Sequence, residues 1–513
     1  MIKKLALLVA TLCGSALTAA DLSISYVFTD HMVLQREKPV AVWGWADAGE
    51  TVTVEFADQK NTTVAGPDGK WLLYLSPMPA SFESRVIKIS GSNSAADASK
   101  PRSIEIKDVL VGEVWLGSGQ SNMELGVDYC LNAKEEVANA NYPNIRFFFE
   151  HSKHQGEPQA NGKGNWIACS PKTVGYFSGT LYFMGRQLHK ELNVPIGLIN
   201  SSQGGTKIES WMSLEAQHSD DFLKQHYEAL VQYGKEVTSE ESRKKFLEEL
   251  KAWYVADEKA KAEGKPSPHK PYDAAYDLEI KGPPCGLFNG KINPLIPYTI
   301  RGVLWYQGEA NAWGKRPWLY TKQLSTLIYD WRKRWGEELP FAWVQLPGFK
   351  ANMGEGWQYM RESMLKTLVV PKTGMVVAID VGEENNIHPQ NKQVIGQRFA
   401  LWALGEVYGK DVSETSGPLP QSSEIQGDKV IVSFRHASGL RARDGQLKGF
   451  TIAGPDQNFV PAQATIENDK VIVYSPDIKN PVAVRYAWSE VPECNLVNGA
   501  GLPASPFRTD GGN

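Results

Sequence analysis

The chain has 513 residues, which is long enough for about three or four domains. Hydrophobic residues make up 42% of it and charged residues 22%, as is ordinary for globular proteins. The formal net charge is only -4 and the sequence has no basic stripe, which argues against nucleic acid as the main partner.

The first twenty residues have the pattern of a secretory signal peptide. Lys3 and Lys4 supply the positive end, residues 5–17 form the apolar stretch, and residues 18–20 provide a cleavage site of small residues. The apolar stretch is too short to span a bilayer, and no later run is typical of a transmembrane helix. We therefore expect a protein that is exported to the periplasm or the extracellular space, without a membrane span.

Four cysteines follow the signal peptide: Cys130, Cys169, Cys285 and Cys494. Their spacing matches no zinc-binding pattern. An exported compartment permits disulfides, and Cys130 with Cys169 is one candidate pair, but buried free thiols fit the sequence equally well. The sequence leaves the pairing open.

Residues 21–108 predict an N-terminal β-sandwich domain. The runs 40–45 and 51–56 are rich in β-branched and aromatic residues, and turn signals stand at 47–49 and 67–69. Several short strands at this spacing favour a sandwich.

From residue 109 onward, strand-like runs alternate with helical ones, which predicts a parallel sheet covered by helices. This α/β domain is expected in two parts, 109–214 and 285–410, separated by a helical insertion at 215–284. Residues 411–513 return to a β pattern and predict a C-terminal β-rich domain. Strands of the sheet are predicted at 109–116, 144–150, 194–200, 300–305, 341–346 and 375–379, and helices at 180–192, 317–335 and 390–408.

The segment 117–123 directly follows the apolar run 109–116 and contains Ser121 between small and amide residues. A serine on a tight turn at the end of a strand is how many folds expose a nucleophile. Glycines in such a turn let the backbone bend and leave room for a substrate carbonyl. Ser121 is therefore a candidate nucleophile, with an ordinary serine in a glycine-rich turn as the alternative.

His388 is the candidate base for this serine. It stands in the segment 385–389, just after the predicted strand 375–379. Open α/β sheets place their ligands beyond the carboxyl ends of the strands, so Ser121 and His388 can lie at the same edge. A loop histidine that only binds backbone groups is the alternative.

Two further polar turns follow strands of the same predicted sheet. Residues 204–206 include two glycines, which offer an unobstructed backbone N–H, and residues 307–311 end in Asn311, which offers a side-chain amide. The oxyanion formed in ester hydrolysis needs such donors, each of which contributes about 3 kcal/mol. Together, four polar turns at one sheet edge indicate an acyl-transfer site.

These blocks resemble those of the SGNH hydrolases and, more narrowly, of the sialate O-acetylesterases. The resemblance implies an α/β fold, an SGNH-type three-layer α/β/α sandwich with a parallel sheet and accessory β-sandwich domains. It implies no cofactor and no metal, and an acyl-enzyme mechanism that removes O-acetyl groups from sialic acids. The likeness spans about residues 21–398 and is carried by the segments 119–123, 204–211, 287–295, 305–311, 330–332 and 387–389.

The resemblance also implies a role for each block. Ser121 would attack the acetyl carbonyl and His388 would be its base. The oxyanion hole would consist of the backbone N–H of Ser121, that of Gly205, and Asn311. The residues expected to bind the substrate or to hold hydrogen bonds around it are Gln120, Gln307 and Glu309.

The acid that orients the histidine departs from the family pattern. SGNH enzymes often have an aspartate two or three residues before the histidine, where this chain has Asn386 and Asn385. The nearby acids are Asp380, Glu383 and Glu384, of which Glu384 is our prediction. A Ser–His dyad, with an amide or a backbone carbonyl holding the imidazole, is the alternative.

Two other functions remain compatible with the sequence. Because the motifs concern the acetyl group and not the sugar, the substrate could instead be xylan or another acetylated polysaccharide. The missing aspartate and the flanking β domains would also fit a catalytically weak carbohydrate-binding protein, which a chromogenic acetate ester would distinguish from an esterase.

Overall fold

The computed structural model describes residues 21–92, 103–314 and 316–511. The predicted signal peptide, residues 1–20, lies outside this described part. Along the described chain, no helix is both long and apolar enough to cross a membrane.

The described residues between 21 and 119 form β-strands around an apolar core that includes Val42, Val54 and Ile89. The strands are β1 (Ser23–Ile24), β2 (Val33–Gln35), β3 (Val40–Trp45), β4 (Thr51–Phe56), β5 (Gln59–Val64), β6 (Lys70–Leu75), β7 (Ser81–Gly91) and β8 (Ser103–Gly119). Strands β1, β3 and β6 form one antiparallel sheet, while β5, β4, β7 and β8 pair in turn in a second. Burial alternates along β4 and β6, so one face of each strand points into the core.

Strand β8 joins this β region to the central sheet. Its first half pairs antiparallel with β7, and residues 113–119 pair parallel with strands of the central sheet. The boundary that the sequence places between residues 108 and 109 therefore falls within one continuous strand. The residues that follow this strand stand at the carboxyl edge of the central sheet.

The central sheet continues with β9 (Ile145–Glu150), β10 (Gly164–Ala168), β11 (Ile196–Ser202), β12 (Gly302–Tyr306), β13 (Phe341–Gln345) and β14 (Thr373–Val377). Its strand order is β10-β9-β11-β8-β12-β13-β14. All neighbours from β9 to β14 are parallel, whereas the edge strand β10 runs antiparallel to β9. The predicted parallel sheet is confirmed, with an antiparallel edge strand that the sequence did not indicate.

Helices cover both faces of this sheet. The α-helices of the described residues are α1 (Ser121–Glu124), α2 (Ala133–Ala138), α3 (Gly179–Leu192), α4 (Leu214–Gln217), α5 (Asp221–Val237), α6 (Glu240–Ala262), α7 (Ala274–Lys281), α8 (Glu309–Ala312), α9 (Tyr320–Trp335), α10 (Gly356–Lys366) and α11 (Lys392–Trp402). Trp115 and Leu304 pack in a core with α3 and α11, whereas the alternate residues Leu116 and Val303 pack in a core with α9 and α10. The predicted three-layer α/β/α arrangement is therefore confirmed.

Short helical turns complete the α/β region. The 3-10 turns span Val127–Tyr129, Val174–Tyr176, Ile208–Trp211, Asn293–Leu295, Pro317–Leu319 and Thr367–Val369. Two π-helical turns span Phe288–Ile292 and Ala403–Val407. The turn at Ile208–Trp211 follows the glycine pair after β11 and packs against helix α9 and the π-helical turn Phe288–Ile292.

The C-terminal strands form antiparallel sheets around a core of their own, which includes Val432, Ile452 and Phe507. Ser505 accepts a hydrogen bond from Gln345 at the end of β13, at 2.8 Å, which ties this region to the central sheet. The strands are β15 (Leu419–Gln426), β16 (Lys429–Arg435), β17 (Arg441–Ala442), β18 (Phe450–Ala453), β19 (Phe459–Pro461), β20 (Gln463–Glu467), β21 (Lys470–Tyr474), β22 (Ala483–Tyr486), β23 (Leu496–Val497) and β24 (Phe507–Arg508).

The four cysteines of the described chain are free thiols. Cys130, Cys169 and Cys285 are buried, and burial raises the pKa of each thiol to about 12. Such thiols behave as small apolar residues, because burial disfavours the reactive thiolate. The Cys130–Cys169 pair considered from the sequence is not formed.

Candidate active site

Ser121 is the first residue of helix α1 and follows directly on the turn that ends β8. Gly119 has a φ of 130°, and a Cβ at this position would clash with the carbonyl oxygen of Tyr306. Only glycine lets the backbone at residue 119 come this close to Tyr306. The N–H of the next residue, Gln120, donates to the same carbonyl oxygen at 2.9 Å. The turn thereby fixes the half-buried Ser121 at the carboxyl edge of the sheet.

His388 lies in the loop between β14 and α11, and its Nε2 is 2.8 Å from the Oγ of Ser121. Asn386 shapes this loop: its Oδ1 accepts from the N–H of His388 at 3.0 Å, and its Nδ2 donates to the His388 carbonyl at 2.9 Å. Two residues that are 267 positions apart in sequence therefore meet with the geometry of a nucleophile and its base.

The structure places Glu384 away from the imidazole. Its side chain is 54% exposed and its carboxylate is 3.6 Å from the Nζ of Lys350. The other two acids are also engaged elsewhere, since Asp380 pairs with Arg398 and Arg443 and Glu383 accepts from Asn386 and the Gln390 N–H. Within the described residues, no carboxylate hydrogen-bonds to His388, and Glu384, the predicted orienting acid, does not contact the imidazole.

The charge around His388 agrees with this geometry. Burial lowers the pKa of the imidazole, and the nearby ammonium of Lys392 lowers it further. A bonded carboxylate would act in the opposite direction, because it favours the imidazolium form. The imidazole is therefore neutral near neutral pH, which is the form able to accept a proton.

The glycine turn after β11 lies beside the nucleophile. A Cβ on Gly204 would be 3.5 Å from the Cβ of Ser121, and the Gly204 N–H donates to Glu124 at 2.7 Å. Gly205 has a φ of 69°, a conformation that favours glycine. Within the described chain, the N–H groups of Ser121 and Gly205 have no internal acceptor, so both can donate to an incoming oxygen.

Asn311, on helix α8, is held by both ends of its amide. Its Oδ1 accepts from the N–H of Ile208 at 3.0 Å and from Gln307 at 2.8 Å, while its Nδ2 donates to Glu209 at 2.9 Å. An amide nitrogen carries two N–H groups, so one remains for an oxyanion. The structure thus places Asn311 against the segment that follows Gly205, and the neighbouring Gly204 lies beside Ser121.

Glu209 lies in the segment 204–211, which carries part of the family resemblance, but the sequence indicates no role for it. The side chain is buried and accepts hydrogen bonds from His226 at 2.7 Å, Asn311 at 2.9 Å and Gln323 at 2.8 Å. Although burial opposes ionisation, the bonds from His226 and Asn311 hold the pKa of Glu209 down at about 2. The ionised carboxylate of Glu209 therefore orients the Asn311 amide. His226 links this carboxylate to helix α5.

Gln120, Gln307 and Glu309 are almost completely buried, at 3%, 0% and 1% exposure. The Nε2 of Gln307 lies within 3.2 Å of oxygens of Gln120, Thr206 and Asn311, and its Oε1 accepts from Tyr320. These side chains have little surface to offer a sugar. The predicted substrate-binding residues therefore hold the turns of the site together rather than line it.

A second buried network lies beneath Ser121. Lys392, which is 2% exposed, donates from Nζ to the Oδ1 of Asn122 at 2.5 Å. The Nδ2 of Asn122 in turn donates to Glu309 at 2.5 Å and to the carbonyl of Ile387 at 3.0 Å. Burial lowers the pKa of Lys392 to about 8 and raises that of Glu309. This network connects the nucleophile turn to the histidine loop, and no motif in the sequence indicated Lys392.

The described residues contain no group of three or more His, Cys, Asp or Glu side chains that could hold a metal ion. The chemical groups at the edge of the sheet include a serine hydroxyl, an imidazole and backbone and amide N–H donors. Such a set can carry out acyl transfer.

A family model described as "carbohydrate esterase, sialic acid-specific acetylesterase" matches residues 111–253 and 290–404. The first range contains Ser121 and Gly205, and the second contains Asn311 and His388. The matched ranges therefore include the serine, the histidine and all three candidate oxyanion donors.

Full-length relatives are similar over nearly the whole chain. The sialate O-acetylesterase of Mus musculus is 28% identical over 538 residues, covering 94% of this chain and 93% of the mouse protein. That of Homo sapiens is 29% identical over 533 residues, covering 94% and 91%. The crystal structure of a novel carbohydrate acetylesterase from Xanthomonas citri is 34% identical, with a TM-score of 0.79, and covers 95% of this chain and 99% of that chain. The similarity thus includes the β regions on both sides of the central sheet.

Proposed function

Because the chain belongs to the sialic acid-specific acetylesterase family of carbohydrate esterases, and is therefore an esterase, we propose that it removes O-acetyl groups from sialic acids through an acyl-enzyme on Ser121. The observation that carries the proposal is the 2.8 Å contact between the Oγ of Ser121 and the Nε2 of His388. A serine hydroxyl is a weak nucleophile until a base takes its proton, and this contact supplies the base.

In the proposed reaction, the Oγ of Ser121 attacks the acetyl carbonyl carbon while its proton passes to the Nε2 of His388. The tetrahedral intermediate collapses when the bond to the sugar oxygen breaks, and His388 returns the proton to that oxygen. A water then gives a proton to His388 and attacks the carbonyl carbon of the acetyl-serine. When this second tetrahedral intermediate collapses, the bond to Oγ breaks and His388 returns the proton to Oγ. The products are acetate, the deacetylated sugar and the free serine.

The oxyanion of both tetrahedral intermediates would be bound by the N–H groups of Ser121 and Gly205 and by Asn311. Donors of this kind are effective because they are already oriented before the charge develops. The buried Glu209 carboxylate fixes Asn311, and the left-handed backbone of Gly205 fixes the neighbouring N–H. Asn386 would keep the imidazole in place through the backbone of its loop, without an acid.

The pH dependence of the reaction tests the electrostatics of His388. Only the neutral imidazole accepts a proton, and its pKa is lowered from 6.5 by burial and by Lys392. We expect kcat/KM to rise with pH and to reach half its maximum below pH 6.5. Replacing Lys392 by Met removes a positive charge, so the acidic limb should move to higher pH.

The control for this measurement is Lys479→Met, at an exposed lysine of the C-terminal region. Its pH profile should match that of the unchanged protein. Because Lys392 is buried, thermal unfolding of each variant shows whether the comparison is made on folded protein. An acidic limb that stays in place in Lys392→Met would exclude the proposed charge effect.

The substrate assignment draws on the relatives. The mouse and human relatives are sialate O-acetylesterases, which favours a sialic acid. The Xanthomonas citri relative is described as a carbohydrate acetylesterase, which keeps xylan or another acetylated polysaccharide as the second candidate.

Acetate release from a panel of O-acetylated glycans separates the two candidates. We expect the highest kcat/KM with O-acetylated sialic acids and a much lower value with acetylated xylan, and 4-nitrophenyl acetate serves as the substrate without a sugar. A higher kcat/KM with xylan would overturn the sialic acid assignment. Absence of hydrolysis of all three would instead favour a catalytically weak binding protein.

We also propose that the enzyme is exported, with residues 1–20 as its signal peptide. The positive end, the short apolar stretch and the small residues at 18–20 support this assignment. The substrate would then be met in the periplasm or outside the cell.

A further inference from the structure

A cavity of about 490 Å³ opens beside the candidate oxyanion hole. Its walls come from the turn after β11, from helices α5 and α7, and from the residues around helix α8. Among the residues that line it are Gly205, Lys207, Tyr233, Tyr272, Lys281 and Trp313. We call it the side cavity; its volume suits a small ligand such as a monosaccharide.

The side cavity adjoins the position of the reacting carbonyl. Gly205 supplies a proposed oxyanion donor and also lines the cavity, as does Ala310, the neighbour of Asn311. The side chain of Lys281 covers Gly205 from the cavity side, because a Cβ on Gly205 would lie 2.7 Å from its Cε. An acetyl group held at Ser121 therefore places the rest of its sugar in or near this cavity.

Aromatic side chains line the side cavity and expose their rings. Trp313, Tyr233 and Tyr272 are 50%, 51% and 65% exposed. Trp313 is steadied by edge contacts with Phe349 and Trp357, at centroid distances of 6.3 and 5.7 Å. Large exposed rings around a cavity are typical of a binding surface, and their flat faces can pack on the C–H groups of a sugar ring.

The charges of the side cavity favour an anionic sugar. Lys281 is paired with Asp277 at 2.6 Å, and the buried Glu209 carboxylate accepts hydrogen bonds from His226, Asn311 and Gln323. Lys207 is exposed and, within the described residues, forms no ion pair or side-chain hydrogen bond. Lys207 is therefore the ammonium of this cavity that has no anionic partner within the described residues, and a carboxylate would neutralise it.

We propose that the side cavity binds an acidic monosaccharide, with Lys207 binding its carboxylate and Tyr233, Tyr272 and Trp313 packing against its ring. This inference rests on the proposed function, since it assigns the part of the site that recognises the sugar. It also gives the helical segment that contains α5 and α7 a role in substrate choice, because Tyr233, Tyr272 and Lys281 belong to it.

The test is competitive inhibition of 4-nitrophenyl acetate hydrolysis by N-acetylneuraminic acid and by its methyl ester, which lacks the charge. The unchanged protein should be inhibited at least about tenfold more strongly by the acid, since a charge-assisted hydrogen bond is lost with the ester. In Lys207→Gln the acid and the ester should inhibit alike, whereas Lys207→Arg should keep most of the preference. Lys479→Gln, at an exposed lysine outside the cavity, is the matched control.

Thermal unfolding of Lys207→Gln and of Lys479→Gln should match that of the unchanged protein, which shows that the comparison is made on folded protein. Equal inhibition by the acid and the ester in the unchanged protein would overturn the inference, as would a preference that survives in Lys207→Gln. Release of acetate from O-acetylated sialic acid, measured separately, tests the proposed function. If the unchanged protein and Lys207→Gln hydrolyse O-acetylated sialic acid equally well, the proposed function stands without this site. If N-acetylneuraminic acid inhibits the hydrolysis of 4-nitrophenyl acetate but O-acetylated sialic acid is not hydrolysed, the site stands without the proposed function.

Discussion

Replacement of Ser121 by alanine is expected to lower kcat/KM for acetate-ester hydrolysis by at least about ten-thousandfold. The variant removes the only protein atom that forms a bond to the acetyl group in the proposed mechanism, and the oxyanion donors alone give a small residual rate. Because the side chain is half-buried and at the start of a short helix, its loss should leave the fold unchanged. Initial rates with 4-nitrophenyl acetate and with O-acetylated sialic acid measure the effect.

Ser325→Ala is the matched control, at a partly buried serine on helix α9. It should keep the rates of the unchanged protein, since alanine favours the helix and no site residue is touched. A rate for Ser121→Ala within tenfold of the unchanged protein would assign the chemistry to another nucleophile.

His388→Ala is expected to lower kcat/KM by about a thousandfold, because a positioned general base contributes roughly a hundredfold to ten-thousandfold. The imidazole has a double task in the proposed mechanism: it takes the proton of Ser121 and later returns one to the leaving sugar oxygen. Added imidazole should restore part of the activity of this variant, since it can occupy the space left beside the Oγ of Ser121.

His269→Ala, in an exposed loop, provides the control for the histidine. It should behave like the unchanged protein with and without imidazole. A small loss in His388→Ala, or a large loss that imidazole does not relieve at any pH, would indicate a structural histidine instead of a base.

The pairing of Ser121 with His388 could be predicted because it depends on topology. Each residue follows a strand of a parallel sheet, and the carboxyl ends of such strands meet at one edge. The same reasoning placed Gly205 and Asn311 there. The alternation of strands and helices that predicts the sheet is a local property of the sequence, so the three-layer fold could be predicted as well.

The group that orients His388 could not be predicted from topology in this way. Glu384 is close to His388 in sequence, but its carboxylate points to solvent and to Lys350, while Asn386 turns inward and binds the loop backbone. The direction of a side chain within an irregular loop depends on the hydrogen bonds of that loop. Spacing along the chain does not determine them.

Glu209 and Lys392 were missed for a different reason. Their partners are distant in sequence: Asn311 is 102 residues from Glu209, and Asn122 is 270 residues from Lys392. A lone glutamate or lysine is ordinarily solvated, so burial of these charges could be seen only in the folded chain. Likewise, Gln120, Gln307 and Glu309 look like ligand-binding groups until their burial is known.

The most direct test of the account is the site at which a serine-directed phosphonate ester labels the protein, located by mass spectrometry of its peptides. We expect one label per chain, on Ser121, with loss of activity in proportion to labelling and no labelling of Ser121→Ala. We also expect slower labelling in His388→Ala, because the base that activates the hydroxyl is gone. A label on another residue that abolishes activity, with Ser121 unmodified, would contradict the assignment of Ser121 as the nucleophile.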